Sequence, residues 1–582
     1  MLVLGLVLLQ VLIGGRRQLF AFPGYFLFGA AALLCVAKVS RARVRPDFLC
    51  LGATALFFGY ILIRALFSPD YFARPDLFSV AGALVVYGLS VTVFSSSSAR
   101  LTIFSSLLVF GLVHVLIGVI QFTRGDNFML ISFLQRVDYE QRASGFFVCP
   151  NHLAGLLEVL GIFGVSLVCW SRWPLWSKLL VGYATGVCYL GLALTGSRGG
   201  YLSAGASLLV FGFLSLIVIR SALPGRWLKF GVIGLIVLVS LLASGGLMIN
   251  QNGFLRARAG NIVEPNNPRI DLWRAALQQW QLEPVFGTGS GTYRFYGRQF
   301  RTERMQNDPV DVHNDYLHLL CEYGLVGAVG FLLFFSAHVR QGWRNLRRLA
   351  LRTAGSLGGP QSNRLALNIA ALAALCAYVV HSVVDFNLHI PANAALLAFV
   401  FAIIANPGRS TKSSDPRPAL KFIPGVAVPV LGLVLLVQCV RFFPGEYYAE
   451  EARTALRDEK PDASILSATK ALFYERQNPE IFFHLGRALM ARAHQSDQAA
   501  DRQGFFQGAA EAFQEAHRLA PLDGTYPLNL AFVYDEMGRF ADAERVYAVA
   551  RERDPRSRAV SQLYQAHLES WITTNAPPNQ PL

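Results

Sequence analysis

Residues 201–219 read YLSAGASLLVFGFLSLIVI and contain no charged side chain. An α-helix needs about 20 mostly apolar residues to cross the hydrocarbon core of a bilayer. Because lipid offers no hydrogen-bond partners to the backbone, a run of this kind has to be helical. The stretch therefore predicts a membrane-spanning helix, and it sets the pattern for the chain around it.

Apolar runs of similar length lie on both sides of this stretch and predict about twelve or thirteen membrane helices. They lie near residues 1–14, 19–38, 48–66, 76–94, 102–122, 152–170, 178–195, 201–219, 229–248, 318–339, 365–384, 391–406 and 421–440. Of the 582 residues, 53% are hydrophobic and 15% are charged, whereas a soluble globular chain carries about 25% charged residues. We therefore predict an all-α protein with a polytopic transmembrane helix bundle over residues 1–442.

Lysine and arginine alternate between the loops that join these runs. With the N-terminus in the cytoplasm, the even-numbered loops are rich in basic residues and the odd-numbered loops are poor in them, apart from Arg16 and Arg17. This topology puts a large loop of about 250–317 and the region after residue 440 outside, which means the periplasm in a Gram-negative cell. Much of the net charge of +15 then lies in cytoplasmic loops near anionic lipid, so a nucleic-acid partner is not expected.

The chain changes character after Arg441, where amphipathic, alanine-rich segments replace the apolar runs. Two of these segments close at Pro521 and Pro555, which are 34 residues apart, and this is the tetratricopeptide period. We predict periplasmic tetratricopeptide-like helical repeats over 443–570 and a disordered tail over 571–582. Stacked helical hairpins offer a surface to a partner protein, and a plain helical hairpin domain without a repeat is the alternative.

Two arginines are candidates for binding a phosphate at the outer edge of the bilayer. Arg198 lies in 195–200 (TGSRGG), where a guanidinium can hold a phosphate through two hydrogen bonds and the glycines allow a close approach. An arginine that snorkels to the headgroups explains this position equally well. Arg269 lies in a predicted amphipathic helix of the long outer loop. Further along, 287–291 (GTGSG) predicts a close-packing turn, since no strand precedes it as a dinucleotide site requires.

His313 lies in 311–318 (DVHNDYLH), which leads from the outer loop into the next membrane helix. An imidazole at this boundary is suited to taking a proton near neutral pH, and an ordinary polar cap at the start of a helix is the alternative. His313 and His318 are five residues apart and therefore lie on different helix faces, which argues against a metal site. His381 and Asp385 are four residues apart and are predicted to pair, either lining the same cavity or only holding the helix end.

The order of these pieces resembles that of the O-antigen ligase and polymerase family. The resemblance rests on short motifs spread over the membrane region. They are 313–317 (HNDYL) with 322–327 (EYGLVG), 197–199 (SRG), Arg269 with Trp273, 287–289 (GTG), 381–391, and the outer-loop stretch 142–153 with Asn151. The chain is identified on this basis as a member of the family with a C-terminal repeat extension.

The resemblance implies a fold like that of the C-type glycosyltransferases and an inverting, metal-independent glycosyltransferase without a cofactor. Its donor would be a glycan on undecaprenyl diphosphate at the periplasmic face of the bacterial inner membrane. Its acceptor hydroxyl would belong to the lipid A core of lipopolysaccharide, to a growing polysaccharide or to a protein, so ligase, polymerase and protein O-glycosyltransferase remain open. We assign the diphosphate to Arg198 and Arg269, and the role of the catalytic base to His313. Supporting roles are expected for Asp315, Glu322, His381, Asp385, Arg142 and Asn151.

Two functions of another class compete with glycan transfer. A membrane transporter, such as a bicarbonate-carrier-like protein, often shows internal repeats and helices broken at mid-membrane. A scaffold that only anchors the repeats has no need for arginines and a histidine on one face. The ionisable candidates cluster at the predicted outer edge, which favours a transferase.

Overall fold

The computed structural model describes residues 1–40, 46–68, 70–131, 133–134, 136–137, 139, 141–222, 225, 227–260, 267–353, 361–408 and 418–575. Within these ranges the chain forms α-helices and two short 3-10 turns, Ile13–Gly15 and Asn387–His389, and no strand. The prediction of an all-α fold is therefore confirmed for this part of the chain. Residues 576–582 of the predicted disordered tail lie outside the described residues.

The helices of the membrane region follow one another with short connections over most of its length. They are α1 (Leu2–Val11), α2 (Gln18–Leu34), α3 (Val36–Ser40), α4 (Phe48–Leu66), α5 (Asp70–Thr92), α6 (Ser97–Arg124), α7 (Pro150–Trp170), α8 (Leu175–Leu194), α9 (Arg198–Ala222), α10 (Trp227–Gln251), α11 (Gly253–Gly260), α12 (Pro268–Leu282), α13 (Tyr293–Gln299), α14 (Asp315–Thr353), α15 (Asn363–His381), α16 (Pro391–Ala405) and α17 (Pro418–Arg457). Each of the predicted apolar runs coincides with one of these helices.

Nine helices of the described ranges are long and apolar enough to cross a membrane, judged by length and composition. They are α4 to α9, α14, α15 and α17. Helices α1, α2 and α16 are apolar but have only 10, 17 and 15 residues. At about 1.5 Å per residue, α1 rises only about 15 Å, half of a hydrocarbon core of about 30 Å. The thirteen predicted runs correspond to these nine helices, to the three shorter apolar helices and to α10, several of whose side chains lie outside the described residues.

Alternate connections meet at the same end of the bundle. At one end, which we call the lower end, the amide of Asp47 donates to the carbonyl of Ala405 at 2.9 Å, and the amide of Ser362 donates to Trp170 at 2.7 Å. The opposite, upper end carries the remaining connections. They include residues 12–17, 141–149, 195–197, 283–314 and 382–390.

Helices α7 and α15 form the centre of the bundle. In their most apolar windows, 83% of α7 and 72% of α15 are buried inside the protein, against 33% for α8 and α9. Many of the α15 side chains are alanines, which allow neighbouring helices to approach closely. Polar groups on α7 and α15 are therefore enclosed by protein rather than by lipid.

The predicted glycine-rich turn packs against a break in α14. Gly324 lies inside α14 with a φ of 63°, outside the helical region. At this break, the amide of Leu325 donates to Pro284 at 3.0 Å and the amide of Thr288 donates to Cys321 at 3.1 Å. A Cβ at Gly324 would lie 2.4 Å from the carbonyl oxygen of Val285. The close-packing interpretation of 287–291 is confirmed by these contacts.

The C-terminal region is a row of helices that continues directly from the membrane. It consists of α18 (Pro461–Tyr474), α19 (Pro479–His494), α20 (Ala499–Leu519), α21 (Thr525–Glu536), α22 (Phe540–Arg553) and α23 (Arg558–Asn575). The predicted boundary at 442 lies inside the 40-residue α17, so no loop separates the two regions. Helix α23 reaches Asn575, which is five residues into the segment predicted as a tail.

Ion pairs hold the repeats against the upper end of the membrane region. An Nη of Arg298, in α13, lies 2.6 Å from a carboxylate oxygen of Asp523 in the turn before α21. Arg301 donates through Nε to Asp554 at 2.7 Å, in the turn before α23. A third pair joins Arg74 of α5 to Glu475.

Candidate active site

The loop that carries His313 is held in an unusual conformation where α14 begins. The Asn314 side chain caps the helix by accepting hydrogen bonds from the amides of Tyr316 and Leu317, each at 3.0 Å. His313 itself has a φ of 53°, in the left-handed region that side-chain-bearing residues rarely adopt. The indole Nε1 of Trp273 donates to the His313 carbonyl at 3.4 Å. The surrounding structure therefore fixes the position of the imidazole.

The His313 imidazole faces a buried carboxylate. Its Nδ1 lies 3.4 Å from a carboxylate oxygen of Asp385, and the two side chains are 33% and 2% exposed. Burial raises the pKa of Asp385, but the neighbouring His313, His381 and His152 outweigh it and hold the pKa well below its usual range. The carboxylate thus stays charged and orients Nδ1, which leaves Nε2 of His313 for a ligand.

His381 pairs mainly with a residue that the sequence analysis did not select. Its Nδ1 lies 3.1 Å from a carboxylate oxygen of Glu158 in α7, and both side chains are fully buried. The expected partner Asp385 is 4.0 Å from Nε2. The predicted pair of His381 and Asp385 is therefore present as a longer ion pair, although α15 ends at His381 and Asp385 lies beyond the helix. Ser203 of α9 donates a hydrogen bond to Glu158.

Glu158 could have been found from the sequence. It is an acidic residue within the apolar run 152–170, and ionisable groups at membrane depth are functional candidates by default.

Arg198 is the first residue of α9, next to a glycine that packs against His381. The adjacent Gly199 packs so closely that a Cβ there would lie 3.1 Å from the His381 ring. Arg142 supports the preceding turn, since its Nε donates to the carbonyl of Thr195 at 2.8 Å. Its Nη2 donates to the side chain of Asn151 at 2.7 Å. The structure therefore brings Arg142, Asn151 and Arg198 together around one turn.

Arg269 lies in the first turn of α12, the helix that covers the His313 loop. It is four residues before Trp273, so the two share a helix face, and Trp273 is the residue that donates to His313. The Asn267 side chain caps this helix by accepting from the Arg269 amide at 3.1 Å. The Arg269 side chain is half-buried. The two predicted phosphate ligands thus lie on the two helices that contact His313 and His381.

Asp315 and His389 form a second polar cluster on the other side of the His313 loop. The carboxylate of Asp315 accepts from the Ser382 hydroxyl at 2.7 Å and lies 3.1 Å from Nδ1 of His389. Burial lowers the pKa of His389, but the hydrogen bond and charge of Asp315 outweigh it and raise the pKa to about 9. The His389 ring stacks on His318 with centroids 4.1 Å apart.

Glu322 holds the glycine-rich turn. Its two carboxylate oxygens accept from the amides of Gly291 and Tyr293 at 3.0 and 2.9 Å. Glu322 also lies 3.4 Å from Nε2 of His318, so it joins the turn to the His318 and His389 rings.

A cavity of about 530 Å³ opens beside this second cluster, between α2, α4, α5, α14 and α16. Its polar end is formed by Arg16, Asp311, Asp315 and His389, and most of the remaining wall is apolar. Arg16 forms an ion pair with Asp311. Burial raises the pKa of Asp311, but Arg16 and the nearby histidines outweigh it, so that the pKa is lowered.

The sequence analysis missed Arg16 as a site residue. Its position in the sequence could have marked it, because Arg16 and Arg17 were the basic residues in predicted outer loops that are otherwise poor in lysine and arginine. The structure explains the exception, since Arg16 pairs with Asp311 and Arg17 pairs with Glu450 at 2.5 Å. Within the residues that the structure describes, no group of three or more His, Cys, Asp or Glu side chains is arranged to hold a metal ion.

Comparison with known proteins divides the chain into two matched segments. Residues 183–332 match the family model described as O-Antigen ligase, and this segment contains Arg198, Arg269 and His313. Residues 502–566 match the model described as Tetratricopeptide repeat. An uncharacterized protein of Haemophilus influenzae is 26% identical over 171 residues, which is 28% of this chain and 42% of that protein, so the match spans less than half of this relative.

The apolar helices and the match over residues 183–332 point to a multi-pass membrane protein. The two matches confirm, over residues 183–332 and 502–566, that the chain carries an O-antigen ligase domain followed by a C-terminal tetratricopeptide repeat.

Proposed function

We propose that the chain transfers a glycan from undecaprenyl diphosphate to an acceptor hydroxyl at the periplasmic face of the inner membrane. The observation that carries this proposal is the pair of His313 and Asp385. A partly exposed imidazole with a buried carboxylate on Nδ1 is suited to act as a general base. His313 lies in the segment that matches the O-antigen ligase model.

The transfer is written as a single displacement at the anomeric carbon. Nε2 of His313 takes the proton of the acceptor hydroxyl as its oxygen bonds to the anomeric carbon. The bond from that carbon to the diphosphate oxygen breaks at the same time, and undecaprenyl diphosphate leaves with the electron pair. Attack opposite the leaving group inverts the configuration. Asp385 stabilises the imidazolium that forms, as the buried carboxylate does in other acid–base pairs.

Arg198 and Arg269 stabilise the diphosphate in this mechanism. Negative charge grows on the leaving group as the sugar bond breaks, and positioned guanidinium groups stabilise such charge without a divalent cation. Their positions support this role. Arg198 begins α9, whose Gly199 packs against His381, and Arg269 lies one turn from Trp273 on α12.

The test is transfer by the purified full chain in nanodiscs with a native undecaprenyl-diphosphate glycan pool. We expect wild type to form product, and Arg198→Ala, Arg269→Ala and His313→Ala to lose it while still inserting. Arg274→Ala is the matched control, because Arg274 lies on the same helix as Arg269 with a side chain 65% exposed. Full activity in the first three variants would overturn the assignment.

The same assay identifies the acceptor class. Product in the lipid fraction indicates a ligase, longer glycan indicates a polymerase, and glycosylated protein indicates a protein O-glycosyltransferase. No product in any fraction, with a folded protein and a verified donor, would favour the transporter or scaffold.

A further inference from the structure

One face of α17 is exposed and apolar both within the membrane-spanning part and beyond it. The exposed side chains are those of Val430, Val434, Val437, Val440, Phe443 and Tyr447. Successive members are three or four residues apart, so each lies beside the next on the helix surface, and the stripe turns gradually around α17 toward its upper end. The valines face lipid, because α17 is one of the membrane-spanning helices. The apolar stripe does not stop at Arg441, where the composition of the chain becomes polar.

Beyond Val440 the stripe continues as five aromatic rings in mutual contact, which we call the aromatic wedge. Its ring centroids are 6.3 Å apart for Phe443 and Tyr447, 5.3 Å for Tyr447 and Tyr448, 6.0 Å for Tyr448 and Tyr474, and 5.2 Å for Tyr474 and Phe473. The Phe473 side chain is 77% exposed. A contiguous aromatic surface of this kind is unfavourable in water and indicates a contact with another apolar phase.

The lengths of α17 and α18 bring the aromatic rings that each helix contributes to the wedge close together. From Phe443 to the end of α17 at Arg457 the helix rises about 21 Å away from the membrane. Helix α18 has 14 residues and returns by about the same distance. Its last residues therefore return to the first turns of α17 beyond the membrane, where the Tyr474 ring contacts that of Tyr448. The next residue, Glu475, pairs with Arg74 at the upper end of α5.

Basic side chains flank the wedge. The Lys470 ammonium lies 5.5 Å from the centre of the Tyr448 ring, and the Arg441 guanidinium lies 5.0 Å from that of Phe442. Aromatic rings prefer the boundary between hydrocarbon and headgroups, and lysine or arginine nearby can reach lipid phosphates. The chemistry of this surface is that of a membrane interface.

We propose that the first hairpin of the repeat region, formed by the end of α17 and by α18, rests in the headgroup layer with its aromatic wedge covered by lipid. Lipid is the occupant because the wedge adjoins the lipid-facing valines at Val440 and combines exposed aromatic rings with flanking basic side chains. The repeats are thereby held at a fixed height above the upper end of the bundle. This inference requires only membrane insertion and is independent of glycan transfer.

Spin labels on the full chain in nanodiscs of phosphatidylethanolamine and phosphatidylglycerol test this inference. Cys169→Ser provides the background, since Cys169 is the exposed thiol among the described cysteines. One label is placed at Phe473→Cys and the matched control at Arg545→Cys, whose native side chain is 77% exposed on α22. Accessibility of each label to lipid-dissolved oxygen and to a water-soluble nickel chelate is then measured.

We expect the label at position 473 to be several-fold more accessible to oxygen and several-fold less accessible to the nickel chelate than the control. Equal accessibility to the nickel chelate at both positions would overturn the inference, because the wedge would then face water. Protection of position 473 from both reagents would also overturn it, because protein rather than lipid would cover the wedge.

Discussion

The side chains of Asp385 and His313 are neighbours at the upper end of the bundle. Asp385 is buried and charged, and His313 is partly exposed with Nδ1 3.4 Å from that carboxylate. In the proposed mechanism the carboxylate orients Nδ1, and the imidazole takes the proton of the acceptor hydroxyl through Nε2. Behind them, Glu158 and His381 form a second buried pair that packs beside the Arg198 turn.

Asp385→Asn tests the first of these pairs. A neutral amide does not stabilise the imidazolium that forms when His313 takes a proton. We therefore expect the turnover number to fall on the order of 100-fold with an unchanged unfolding temperature. Asp458→Asn, whose carboxylate is 42% exposed, is the control for a lost negative charge. A wild-type turnover number in Asp385→Asn would contradict the role of this carboxylate.

The pair of His389 and Asp315 makes a pH-dependent contribution to stability. Burial lowers the pKa of His389, yet Asp315 raises it to about 9, above the ordinary histidine value of about 6.5. The interaction of protonated His389 with Asp315 therefore stabilises the fold fully below about pH 6.5. Its contribution is lost as the pH rises through about 9. We expect the difference in unfolding temperature between wild type and His389→Asn to shrink over that interval. A difference that is constant with pH would contradict the pairing.

Site residues were predictable where a short motif marked them and not where only folding brought them together. His313 and Arg198 occupy recognisable motifs, and the structure places them on adjoining elements of the upper end. Arg16 is 295 residues from its partner Asp311, and no local pattern relates the two. Glu158 and His381 are likewise 223 residues apart.

At the scale of elements, the apolar runs predicted the positions of the membrane helices because bilayer thickness sets their length. The break in α14 was not predicted. The backbone hydrogen bonds at the break are formed with residues 284–289, which fold back onto 321–326. A glycine within an apolar run does not reveal that another segment will pair with the helix backbone there. The continuity of α17 was also missed, because the composition changes at Arg441 while the helix does not end.

Gly324→Ala tests the break in α14. A Cβ at this position would meet the Val285 carbonyl at 2.4 Å, and the φ of 63° is unfavourable for alanine. We expect a loss of about 1–3 kcal/mol in the free energy of unfolding, seen as a lower unfolding temperature. Gly59→Ala in α4 is the matched control, since nothing lies within 4 Å of its Cβ position. Equal unfolding temperatures for the two variants would contradict the close packing.

At the scale of the whole molecule, the repeats and the membrane region form a continuous structure. Helix α17 joins them covalently, and the pairs of Arg298 with Asp523 and of Arg301 with Asp554 join them laterally. The sequence predicted both regions but not their contact, because these partners are more than 200 residues apart in the chain. Helix α13, which carries Arg298, directly follows the turn held by Glu322.

The double variant Asp523→Asn with Asp554→Asn tests this lateral contact. Removing both carboxylates leaves the buried Arg301 without its ionic partner and leaves Arg298 with Asp308 alone, which is unfavourable. We expect faster amide hydrogen exchange in residues 294–306 and in the turns at 520–524 and 554–557. Asp462→Asn, at a carboxylate 78% exposed, is the control. Exchange at the wild-type rate in the double variant would contradict the contact.

In the proposed reaction His313 activates an acceptor hydroxyl for transfer from a lipid diphosphate. The most direct measurement is the rate at which purified wild type and His313→Ala convert a labelled undecaprenyl-diphosphate glycan, following donor loss and product gain together. His494→Ala, at an imidazole 47% exposed in the repeats, is the control. The account predicts wild-type conversion in the control and a rate lower by about 10²–10⁴-fold in His313→Ala. Conversion by His313→Ala at the wild-type rate would contradict it.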